Sequence, residues 1–145
     1  DKTDVISGNE WIDKWKVITS YLTYDHAGRA DKNGQKRIIS TLEILKPNEI
    51  CTETYIVIDV FDNEIETTNL YSYLKTKFVR FLIGELTSTQ HLSKDKFSLV
   101  PLQNFTSTSN IDWSKPVADI DRQLYAKYGL SDEEVAFIEG MIKVM

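Results

Sequence analysis

The chain is poor in the residues that most chemistry needs. It has one cysteine, Cys51, in 145 residues, two histidines, three prolines and six glycines. A lone cysteine excludes an internal disulfide. His26 and His91 have no neighbouring Cys, Asp or Glu at metal-ligand spacing, so no zinc pattern exists. Gly28 and Gly34 form neither a Walker nor a dinucleotide fingerprint, and no G-x-S-x-G elbow presents a serine nucleophile. Carboxylates are plentiful. However, Glu53 and Asp59 stand six residues apart without an E-x-K or Q-x-K sequence after them, which argues against a metal-dependent nuclease. No apolar run approaches the ~20 residues of a membrane-spanning helix. The N-terminal DKTDVISGNEW has neither an export pattern nor an initiator Met, so the chain is expected to be an excised fragment. A single thiol without an export signal fits a reducing cytoplasm.

What is present suffices for one domain spanning 1–145. Hydrophobic residues make up 41%, with 3 Trp, 7 Tyr and 6 Phe, and charged residues 27%. The net charge of −5 disfavours nucleic acid as an average. Its distribution is uneven. Residues 47–70 carry six acidic side chains and no basic one, whereas residues 71–100 carry five basic and two acidic. Residues 1–46 carry eight basic and seven acidic, and residues 110–145 four basic and seven acidic. An acidic protein with locally basic segments can still face phosphates.

Hydrophobic periodicity predicts strands near 15–22, 37–45, 53–60 and 97–100. The third, TETYIVIDVF, reads as buried because it is β-branched and nearly continuous. A polar loop of about a dozen residues, 24–36, separates the first two; loops of that length are usually functional or disordered. Asp62 or Asn63 caps a long helix over 63–85, with Leu70, Leu74, Phe78, Phe81 and Leu82 on one face. Residues 104–115 read as a Ser/Thr/Asn-rich surface connection. A helix from Val117 to Tyr128 ends at Gly129, and the capping box Ser131–Glu134 opens another. The class is α+β: a small mixed sheet packed on one long helix (1–103), followed by a helical C-terminal appendage (104–145).

Four segments, in order, resemble the C-terminal target-recognition region of bacterial adenine-specific DNA methyltransferases and fused type II restriction–modification enzymes. CTETYIVIDVFDN is similar to that family's strand before a long helix. NLYSYLKTKFVRFLI resembles its "SYLKTKFFRFL" helix, and FSLVPLQNF its "VPLQDF" strand. WSKPVADIDRQLYAKYGLSDEEVAFIEGMIKVM resembles its C-terminal "IDxxLYxKYGLTxEEIxFIExMI" ending. The resemblance covers Cys51–Met145; the first fifty residues match only weakly.

The resemblance implies a DNA-recognition fragment without chemistry of its own. The family's Asn-Pro-Pro-Tyr motif and S-adenosylmethionine loop are missing, so methylation, with its cofactor, is expected of an upstream methylase half of the same polypeptide. The parent would be a site-specific adenine methyltransferase, with a fused endonuclease as an option. The expected partner is double-stranded DNA, with no membrane involved. The expected contacts are His26, Arg29, Lys32, Asn33, Lys36 and Arg37 on the first loop, Thr89, Gln90, His91, Lys94 and Lys96 on the second, and Lys77 and Arg80 on the helix. No catalytic or metal-binding residue is expected. The alternative is a protein–protein docking module of a restriction–modification complex that makes no direct DNA contact.

Overall fold

In the computed structural model, β1 (Trp15–Ser20) is the centre of a three-stranded sheet. The structure describes residues 5, 7–21, 29–86, 94–98 and 100–145. β1 pairs antiparallel with β2 (Leu42–Leu45) on one side and with β3 (Tyr55–Phe61) on the other. Residues Lys16 to Thr19 are all buried, as befits a strand covered on both faces. The buried Lys16 ammonium donates to the carbonyls of Trp11, Ile12 and Lys14 at 3.0, 3.3 and 2.7 Å, so its charge is spent on a chain turn.

The α+β class holds, and four details of the strands differ from the expectation. The sheet is wholly antiparallel. β2 begins only at Leu42, because Thr19 Oγ1 donates to Thr41 O at 2.6 Å and Ser20 N donates to Thr41 Oγ1 at 3.2 Å. Side chains thus replace the ladder there, and the preceding Ile38 and Ile39 turn into the core. β3 is an edge strand and only half-buried; a bulge shifts its register between Val17 and Ile18. Residues 94–97 form a 3₁₀ turn and not the start of a fourth strand, with Phe97 and Val100 packed against the core.

The predicted long helix is two helices, α1 (Glu64–Lys75) and α2 (Lys77–Leu86), divided at Thr76. Asn63 caps α1 as expected, accepting from Glu66 N. At Thr76 the backbone turns extended, with ψ 149. Its hydroxyl donates to Tyr73 O at 2.6 Å and accepts from Val79 N at 3.3 Å, while Thr76 O accepts from Arg80 N at 3.2 Å. α1 packs on all three strands. α2 turns away to meet α3 (Val117–Lys127) and α4 (Asp132–Met141). Gly84 lets α2 approach the 38–39 segment: a Cβ there would lie 2.6 Å from Ile38 Cδ1.

Ile83, Ile120, Leu124 and Ile142 are fully buried where these layers meet. Each contributes about 1.5–3 kcal/mol relative to an exposed side chain. The connection over 101–115 is tied across α1. Tyr73 OH donates to Pro101 O at 2.8 Å, Asn69 to Phe105 O at 2.8 Å, and Trp113 Nε1 to Asn104 O at 2.9 Å. The rings of Tyr73, Phe105 and Trp113 meet edge-on or tilted around these bonds.

Candidate nucleic-acid interface

The first polar loop has a built structure over its second half. Asp31 N donates to Gln35 O at 2.8 Å, and Gly34 N to Asp31 O at 2.9 Å. The Asp31 carboxylate accepts the backbone N–H of Asn33 at 2.8 Å and of Gln35 at 3.0 Å. These backbone donors hold the carboxyl below the ordinary range, and Lys143 adds to the effect from 3.3 Å. Gly34 adopts φ 77, a left-handed conformation that glycine accepts without strain. Ala30 and Lys36 close the turn as an antiparallel bridge.

This small hairpin is fastened to the C-terminal segment. Lys36 N donates to Met141 O at 2.6 Å, and Lys143 N donates to Lys36 O at 3.0 Å. Arg29, Lys32, Asn33 and Arg37 are exposed on it, and Lys36 is half-buried. Lys143, beside Asp31, joins the group. Local pattern could not have shown this, because 112 residues separate the two. The hairpin therefore presents cations and an amide on a hydrogen-bonded frame, as contacts to phosphate and base edges require.

Two expected contacts on the helix are used inside the fold instead. Arg80 is only 2% exposed. Its guanidinium donates to Lys75 O at 3.0 and 3.2 Å, to Thr76 O at 3.3 Å and to Lys143 O at 2.6 Å. It thus satisfies the carbonyls that α1 leaves open at its end and holds the residue that anchors the hairpin. Burial lowers its pKa, against the attraction of Asp121. Lys77 donates to Glu139 O at 3.0 Å and to Glu139 Oε2 at 2.7 Å. Neither side chain is free for phosphate.

His26, Thr89, Gln90 and His91 lie outside the described residues. Lys94 and Lys96 belong to the 3₁₀ turn. Among the described residues no group of His, Cys, Asp and Glu could hold a metal ion. No described helix is long and apolar enough to cross a membrane. Cys51 is half-buried and burial pushes its thiol pKa up, which makes it a poor nucleophile. Compared with known proteins, the chain matches no family model, no curated protein and no solved structure.

Proposed function

We propose that this chain is the DNA target-recognition portion of an adenine-specific methyltransferase or fused restriction–modification enzyme, working in the cytoplasm beside an upstream methylase half that holds S-adenosylmethionine. The observation that carries the reading is the hairpin over 29–37, where Arg29, Lys32, Asn33 and Arg37 are exposed on a frame bonded to the C-terminal segment. Arginine and lysine suit phosphate or a guanine edge, and asparagine suits an adenine edge. Arg80 serves this reading indirectly, by holding Lys143. The fragment itself transfers no methyl group in this reading and supplies position and sequence preference.

The second reading, a docking module without DNA contact, is favoured by exposed apolar side chains: Leu102 at 99% and Ile65 at 69% exposure. A titration of the parent polypeptide against cognate and unrelated duplexes separates the two. Replacing Arg29, Lys32 and Arg37 together by alanine should weaken binding. Each lost phosphate contact should lower the salt slope by about 0.9, and a lost guanine contact should cost about 1–3 kcal/mol at one base pair. Unchanged affinity for cognate DNA at every salt concentration would favour docking.

A further inference from the structure

A groove of about 430 Å³ lies between α2 and α4, apart from the hairpin residues. Phe78, Phe81 and Leu82 line it from α2, and Leu130, Phe137 and Ile138 from the other side. Its aromatic lining is pre-arranged. Phe78 stacks on Tyr128 with ring centres 5.2 Å apart, and Phe81 meets Phe137 edge-on at 6.0 Å. Phe137 remains 57% exposed, a placement the core does not require. One turn further along α4, Gly140 is exposed with open space where a Cβ would stand, so a partner backbone can pass close.

The charge at the groove has one sign. Glu133 and Glu134 complete the lining, and both are exposed. α4 carries Asp132, Glu133, Glu134 and Glu139 and no lysine or arginine; Glu139 is already paired with Lys77. Two copies meeting groove to groove would bring these carboxylates together, which disfavours a second copy as occupant. An apolar groove between two helices with a carboxylate edge is complementary to a helix carrying apolar anchors and flanking cations.

We infer that the groove between α2 and α4 docks an amphipathic α-helix of a partner protein, apolar on the buried face and lysine- or arginine-rich at its edges. The inference does not depend on DNA reading by the hairpin, and its test uses no DNA.

The test pairs the purified chain with a synthetic helical peptide bearing leucines at i, i+3, i+4 and i+7 and flanking lysines. A counterpart with every lysine changed to glutamate is the control. Fluorescence anisotropy should show the lysine peptide binding and the glutamate peptide failing to bind. Amide chemical-shift changes should centre on α2 and α4. Phe137→Ala should weaken binding about tenfold. Glu133→Lys, which leaves the Ser131–Glu134 capping box intact, should weaken the lysine peptide and narrow its advantage over the control. Circular dichroism melts of both variants separate lost binding from lost fold. Equal binding of the two peptides, shift changes centred elsewhere, or undiminished binding by both variants would overturn the inference. So would a concentration-dependent dimer abolished by Phe137→Ala, which would assign the groove to a second copy.

Discussion

Asp121 on α3 accepts the backbone N–H of Phe78 at 2.9 Å across 43 residues of chain, and its other oxygen accepts the N–H of Lys77 at 2.9 Å. One buried carboxylate therefore caps the start of α2 from a different helix. Together with the Thr76 hydroxyl, it satisfies the N–H groups of Lys77, Phe78 and Val79, which the helix start leaves open. Its negative charge sits at the positive end of the α2 dipole, while the Arg80 guanidinium sits at the negative end of α1.

Removing that carboxylate should be costly. Asp121→Ala leaves the buried Phe78 N–H and the part-buried Lys77 N–H without acceptors, at about 1–3 kcal/mol for a buried unsatisfied group and less for one that water reaches. The variant should lose roughly 2–4 kcal/mol by urea unfolding, on the same basis. Asp121→Asn keeps one acceptor oxygen and should lose less. Equal stability of the alanine variant and the parent chain would remove Asp121 from its capping role.

Arg80→Met should destabilise because it leaves the carbonyls of Lys75 and Lys143 without their donor. Hydrogen bonds to charged groups contribute about 1.5–3 kcal/mol. Arg80→Lys should recover little, since an ammonium cannot span the carbonyls that the planar guanidinium reaches. Hydrogen exchange should also quicken at the Lys36 and Lys143 amides, because Arg80 holds Lys143 beside the hairpin. Unchanged exchange there in a folded variant would separate Arg80 from the hairpin.

Gly84→Ala sets helix propensity against packing. Alanine favours a helix interior by about 1 kcal/mol over glycine. Its Cβ would stand 2.6 Å from Ile38 Cδ1 and 3.1 Å from Cγ1, against a side chain that is itself buried. Overpacking typically costs about 1–3 kcal/mol, so a net loss is expected. The double variant Gly84→Ala with Ile38→Val should be less impaired than the two single losses predict. Simple additivity in thermal melts would mean that this contact does not govern the approach.

Two carboxylates should tilt the acid stability profile in opposite directions. Burial opposes ionisation of Glu139, but hydrogen bonds from Lys77 and Tyr125 outweigh it and hold its pKa below the ordinary 4.5. In that range the unfolded chain binds the proton more readily, so this stability is present above 4.5 and is lost as pH falls through the folded value. For Asp121, burial outweighs the backbone donors and holds the pKa above 3.8. Its effect is present below 3.8 and is lost as pH rises through the folded value. Glu139→Gln should flatten the loss on the acid side, and Asp121→Asn the opposing decline, in urea midpoints measured across acidic pH. A Glu139→Gln profile as steep as the parent's would contradict the assignment.

Local chemistry was enough to determine the ends of several elements. Asn63 caps α1 with its own side chain, the Ser131–Glu134 box opens α4, and Gly129 at φ 66 follows α3, all because the partners lie within a few residues. The α+β class and the apolar faces of the helices follow from periodicity in the same way. The break at Thr76 had no such signal. Neither proline nor glycine marks it, and the groups that stabilise it are distant: Asp121 lies 44 residues from Lys77, and the carbonyl of Lys143 lies 63 residues from Arg80. The same distance decided the candidate site. Lysine and arginine in the sequence Lys77-Phe-Val-Arg80 read alike as surface cations. Tertiary structure drew both into the fold, where Glu139 and open carbonyls needed donors, and left Arg29, Lys32 and Arg37 exposed on the hairpin. A sequence shows which side chains can donate; which acceptors stand beside them, dry enough to make the bond compulsory, is settled only when distant segments pack.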